Sequence, residues 1–173
     1  MVLKAIVAYN NQNYKNALGY SWILVLLEKN YSYAPYIIGN CYCNGLELPQ
    51  NIEKSLMYYM LGSYTNMYEC QQKVGLIYYS RAKLSKHIEN KKLFYNTALA
   101  FFIIVYKNIN ISMLDKMHAY YKITLIRAFM IIHFIEINSV YVIKIPSICD
   151  IIKIIKEDSN ELDIFREHIK KKY

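Results

Sequence analysis

The chain repeats itself at a shift of 36 residues, and this constrains its fold more than any other feature. Leu18-Gly19-x-x-Trp22-Ile23 superposes on Lys54-Ser55-x-x-Tyr58-Tyr59, which superposes on Asn90-Lys91-x-x-Phe94-Tyr95. Between these blocks Ala34 falls on Cys70, Ile38-Gly39 on Val74-Gly75 and Tyr42 on Tyr78. A fixed period of this size marks a stacked supersecondary unit, because each copy can bury its apolar face only against a neighbour. Ala34, Ile38 and Tyr42 recur at i, i+4 and i+8, which is one face of an α-helix. Gly39 and Gly75 therefore fall mid-helix, where glycine costs about 1 kcal/mol relative to alanine. Two glycines in register, in a chain that has five, predict that a neighbouring helix approaches so closely that a Cβ would obstruct it.

Local signals divide the period into hairpins. Asn30 and Asn66 stand at equivalent points between helices. Gly45 is a predicted helix stop. Pro49 cannot continue a helix, and Asn51 is a predicted N-cap for the next one. Further on, Ser112 is expected to cap a helix over 113–136, which is apolar on nearly every side and so expected to be central and buried. Asn138-Ser139 breaks it. Pro146 suits the start of another helix through Ile148, Ile151, Ile152 and Ile155. A short final helix over 162–170 would end in the basic tail Lys170-Lys171-Lys172, favourable at a helix C-terminus.

The repeated residues resemble the Sel-one-like repeats, relatives of the tetratricopeptide repeats. That family's pattern is Lys-Ala-x-x-Trp-Tyr-x-x-Ala-Ala-x-x-Gly-x-x-x-Ala-x-x-x-Leu-Gly-x-x-Tyr-x-x-Gly. Here it is matched by Lys54-Ser55-x-x-Tyr58-Tyr59-x-x-Gly62-Ser63-x-x-Asn66-x-x-x-Cys70-x-x-x-Val74-Gly75-x-x-Tyr78. The preceding copy supplies Trp22, Asn30, Ala34, Ile38-Gly39, Tyr42 and Gly45, and the resemblance spans roughly residues 14–100. It departs at Leu26-Leu27, where the family has paired alanines, and at Arg81, where it has glycine. The resemblance implies an all-α fold: a short right-handed superhelical array of antiparallel helix hairpins over 1–110, with capping helices over 111–173 in the same domain. Trp22, Ala34, Gly39, Tyr42, Tyr58, Gly62, Cys70, Gly75 and Tyr78 would be its packing positions. Such arrays bind along a concave face lined by the first helix of each pair. Tyr36, Asn40, Gln72 and Ile77 are the candidate lining residues, expected to be exposed.

Composition narrows the class. With 55% hydrophobic and 20% charged residues the chain is not disordered, and 5 Gly and 3 Pro are few for a loop-rich sandwich or a glycine-rich nucleotide fold. Tyrosine is abundant at 19 of 173, but Ile, Asn and Lys are heavy too, and all four share AT-rich codons. The tyrosines are therefore not read as base-stacking groups. The net charge of +8 is uneven: residues 67–110 carry seven basic and two acidic groups, against a net +1 in each of 1–66, 111–142 and 143–173. Lys73, Arg81, Lys83, Lys86, Lys91, Lys92 and Lys107 make up that run, with Arg81, Lys83, Lys86, Lys91 and Lys92 as its candidate patch. It would suit phosphate, anionic lipid or an acidic protein. A solvated helix face is the simpler reading.

No catalytic pattern is present. There is no phosphate-cradling glycine loop, HExxH or nucleophile elbow. His87, His118, His133 and His168 are far apart in sequence, and none has a second ligand at metal spacing. Cys41-Tyr-Cys43 has the wrong spacing for a zinc knuckle or redox pair. Cys70 fills a small packing position of the repeat and reads as a buried hydrophobe. Glu53, Glu89 and Asp115 are ordinary first-turn carboxylates. The expectation is a non-enzyme with no cofactor and no metal. The N-terminal apolar run is too short for a signal peptide, so a cytoplasmic location with free thiols is expected. The apolar runs at residues 22–27, 98–106 and 123–137 are too short or too interrupted to span a membrane. The expected role is protein–protein interaction, as an adaptor or scaffold that takes a protein or peptide partner, with self-association as a way to lengthen a short groove. The alternatives are nucleic-acid binding through 67–110 and peripheral attachment to an anionic membrane.

Overall fold

The computed structural model describes residues 1–27 and 33–132. Among these the chain is all-α, with seven helices and no strand. Asn30, His133, Cys149, His168 and the helices expected over 146–155 and 162–170 lie outside the described residues. Two compact units divide the rest, one ending at Met67 and one beginning at Tyr68. The division falls inside the second hairpin expected from the period, between its two helices.

The first unit holds α1 (Val2–Asn10), α2 (Tyr14–Leu26), α3 (Tyr33–Asn44) and α4 (Ile52–Tyr64). Consecutive helices pack on one another, and α1 also reaches α3. The helix ends follow local chemistry. The Asn51 side chain accepts from the Lys54 N–H at 2.9 Å, capping α4 as predicted. Gly45, at φ +68°, ends α3 and lets the Leu46 N–H reach the Cys41 carbonyl at 2.9 Å. Asn66 closes α4 at φ +58°. Its N–H donates to the Ser63 carbonyl at 3.1 Å, and the Met67 N–H donates to Gly62 at 3.4 Å. This paired arrangement satisfies carbonyls that the helix end would otherwise strand, and asparagine tolerates the left-handed backbone it needs. The core of the unit is an aromatic column. Trp22 Nε1–H donates to the Tyr58 hydroxyl at 3.3 Å, and Tyr58 stacks on Tyr42 with ring centres 5.9 Å apart. All three rings are buried.

The second unit holds α5 (Tyr68–Leu84), α6 (Ile88–Lys107) and α7 (Met113–Ile132), with α5 on α6 and α6 on α7. Ser112 caps α7 as expected: its Oγ accepts from the Asp115 N–H at 3.1 Å and donates to the Asp115 carboxylate at 2.6 Å. The central, buried position expected for this helix is not what forms. It buries the single stripe Ala119, Ile123, Ile126 and Met130, while Met113, Leu114, Met117, Tyr120, Tyr121 and Ile131 are exposed. All-round apolarity in the sequence does not say which side a neighbour covers.

The packing positions expected from the repeat are buried: Trp22, Ala34, Gly39, Tyr42, Tyr58, Gly62, Cys70, Gly75 and Tyr78. What meets the two glycines differs from the expected backbone approach. A Cβ on Gly39 would lie 2.7 Å from ring carbons of Tyr59, and one on Gly75 would lie 3.1 Å from ring carbons of Phe102. Each glycine seats an aromatic side chain of the following helix.

Candidate functional site

The residues expected to line a concave surface are largely used inside the protein. Asn40 is only 4% exposed, which corrects its expected role as a surface contact. Its side-chain oxygen accepts from the Tyr59 hydroxyl at 2.6 Å, and its side chain is hydrogen-bonded to the Tyr9 hydroxyl. Asn40 thus ties α1, α3 and α4 together. A polar residue can be buried at little cost when its hydrogen bonds are met, and nothing in the sequence announced the partners. Tyr36 is half-buried, with its ring 6.3 Å from Tyr59 and 6.4 Å from Tyr33. Gln72 and Ile77 are half-buried on α5. All four residues lie on α3 and α5, the second helix of each expected pair rather than the first.

The basic run behaves differently. Each helix of the second unit brings lysine and an aromatic ring onto one face. On α5, Tyr79 and Lys83 are one turn apart, as are Lys91 and Tyr95 on α6; on α7, Lys122, Leu125 and Phe129 follow i, i+3, i+7. These seven side chains converge, and with the exception of Lys122 they line a cleft of about 370 Å³ together with Ala128. Its floor is aromatic. Tyr95 is 4.8 Å from Phe129 and 5.9 Å, edge-on, from Tyr79 (ring centres), and it is 2% exposed. Burial, and then Tyr79, raise the pKa of the Tyr95 hydroxyl, so it stays neutral.

The ammonium groups stand over those rings. Lys83 and Lys122 lie 5.5 Å and 5.0 Å from the Tyr79 ring centre, and Lys91 lies 5.7 Å from that of Phe129. Such contacts hold a lysine head by attraction to the ring face. No carboxylate lines the cleft. Of the expected patch, Lys83 and Lys91 are brought together here. Arg81 lies instead over Tyr78 at 5.4 Å, Lys86 is exposed between α5 and α6, and Lys92 is half-buried on α6. Lys122 lies in a segment whose net charge is only +1, which hides it; its spacing to Leu125 and Phe129 is the signal the sequence carries.

Glu53, Glu89 and Asp115 occupy helix first turns. Cys70 is fully buried, and burial pushes its thiol pKa up, which leaves it protonated and inert. Among the described residues Cys41, Cys43 and Cys70 take part in no disulfide. Among the described residues no group of His, Cys, Asp and Glu is placed to hold a metal ion, and no helix is long and apolar enough to cross a membrane. Compared with known proteins, the chain matches no family model, no curated protein and no solved structure.

Proposed function

We propose that this chain is a non-enzymatic interaction protein, an adaptor or scaffold of the helical-hairpin repeat kind, that holds an acidic protein partner on α5, α6 and α7. The observation that carries the reading is the lysine-rimmed aromatic cleft. Residues 68–132 hold ten basic and three acidic groups, a net +7, whereas residues 1–67 hold a net +1. Such a field speeds encounter with an acidic partner and selects against basic ones. Nucleic acid fits less well. Single strands are held by bases stacked on open aromatic faces, and the faces of Tyr79 and Phe129 carry the protein's own ammonium groups.

The test is binding of a labelled glutamate-rich peptide, followed by fluorescence anisotropy against a single-stranded oligonucleotide of equal charge. The peptide is expected to bind more tightly. Binding should weaken about tenfold or more in Lys83→Glu/Lys91→Glu/Lys122→Glu. Undiminished peptide binding by that variant defeats the reading. A second reading, attachment to an anionic membrane surface, is favoured by exposed Met113, Met117, Tyr120 and Tyr121 beside Lys116 on α7. Sedimentation with phosphatidylserine vesicles that persists in Lys83→Glu/Lys91→Glu/Lys122→Glu, but not in Met117→Ser/Tyr121→Ser, would favour it.

A further inference from the structure

Lys83 and Lys91 line the cleft with no carboxylate among its lining residues, and Lys122 adds a third ammonium beside it, over the Tyr79 ring. No ion pair to Lys83, Lys91 or Lys122 forms among the described residues. We infer that the cleft seats a phosphate monoester carried on a side chain of the partner protein; this rests on the interaction role proposed above and names the group that is recognised.

Three features select phosphate over carboxylate. The first is charge: a carboxylate brings one negative charge, whereas a phosphorylated side chain brings about −1.5 to −2 at pH 7 and three acceptor oxygens. The second is the kind of cation. Planar carboxylates are best held by the rigid fork of arginine, and no arginine lines the cleft. Lysines act as rotatable point charges, which suits a tetrahedral group with oxygens in several directions. The third is the apolar part of the lining. Tyr95, Leu125 and Ala128 share the space of about 370 Å³ with the lysines and would contact the stem of the modified side chain. A free inorganic phosphate would leave that apolar lining unused.

Nuclear magnetic resonance titration of the full chain with small probes tests the assignment. Phenyl phosphate should bind at least several-fold more tightly than phenyl sulfate, which has the same shape but a single charge. It should also bind more tightly than inorganic phosphate. Lys91→Gln and Lys122→Gln should each weaken phenyl phosphate several-fold, whereas Lys86→Gln, outside the cleft, should not. Equal binding of phenyl phosphate and phenyl sulfate overturns the inference. So does equal binding of inorganic phosphate, or an equal loss in Lys86→Gln. A protein that fails these tests yet still binds the glutamate-rich peptide loses only the phosphate seat; one that fails both loses the interaction role as well.

Discussion

The hairpin α3–α4 and the hairpin α5–α6 share one sequence pattern and use it in opposite ways. Their first aromatic pair is preserved. Tyr42 meets Tyr58 at 5.9 Å in one, and Tyr78 meets Phe94 at 6.1 Å in the other. The difference begins one turn away, where Ser55 in α4 corresponds to Lys91 in α6. Ser55 is fully buried and donates to the Gly39 carbonyl at 2.8 Å. That contact draws α4 onto α3, and Tyr59 lies across Gly39 with its hydroxyl held by Asn40. A lysine cannot occupy such a place without burying its charge. Lys91 stays half-buried over Phe129, Tyr95 turns to Tyr79 and Phe129, and Gly75 is covered by Phe102, seven residues farther along α6. At another equivalent pair, Glu47 stands where Lys83 rims the cleft. One hairpin spends its contact on internal closure, and the other leaves a charged cleft.

Exchanging the two residues should break the comparison most sharply. Ser55→Lys places an ammonium in a fully buried site and should cost about 3 kcal/mol or more. Lys91→Ser should change stability by less than about 1 kcal/mol. Denaturant unfolding of both variants measures this, and equal losses would show that position 55 does not control the closure of α3 on α4.

The glycines should give the next largest contrast. Gly39→Ala drives a methyl against a ring whose hydroxyl is pinned, and should lose about 1–3 kcal/mol. Gly75→Ala meets Phe102 less tightly, and its gain in helix propensity of about 1 kcal/mol offsets much of the clash. Thermal melting should therefore rank Gly39→Ala well below Gly75→Ala. The reverse order would contradict the packing described.

Asn96 sharpens the comparison in the other direction. Both atoms of its amide are buried and unpartnered, while the equivalent positions carry Leu24 and Met60. Asn96→Leu should raise stability by about 1 kcal/mol, since an unmet amide is removed rather than a hydrogen bond. A lower melting temperature would mean that a bound water satisfies the amide.

The smallest effect is alkaline. Burial pushes the Cys41 thiol up to about 12. Burial, with Tyr36 and Cys41 nearby, pushes the Tyr9 hydroxyl up to about 12 against the pull of Asn40. Both groups are kept neutral by the fold, so the stability they contribute is complete below their ordinary values of 9.0 and 10.0. It is lost as pH rises through about 12. Melting temperature should fall across that window, and Cys41→Ala should fall less steeply.

Features that depend on near neighbours were legible in the chain. Gly45, Asn51 and Ser112 end or begin helices where expected, because a cap is a hydrogen bond spanning three to five residues. The buried positions from Trp22 to Tyr78 were legible because the period repeats them. The helix Val2–Asn10 escaped because it lies outside the period. Asn40 escaped because a polar residue gives no sign of burial until its partners on other helices are known. Only half of the cleft was visible: the basic run pointed to Lys83 and Lys91, but not to the helix that adds Leu125 and Phe129.

By itself the sequence determined that the described residues form helices, where several of them stop, and which small and aromatic positions turn inward. Those outcomes rest on backbone hydrogen bonds and on a periodicity that any stretch of the chain carries within itself. The tertiary structure decided which ring covers each glycine, which face of α7 stays bare, and that lysines of α5 and α6 line one cleft with Lys122 of α7 beside it. These depend on how closely two helices approach, and that distance is set where they touch: by a serine small enough to be buried at position 55, and by a lysine that must keep its charge near water at position 91.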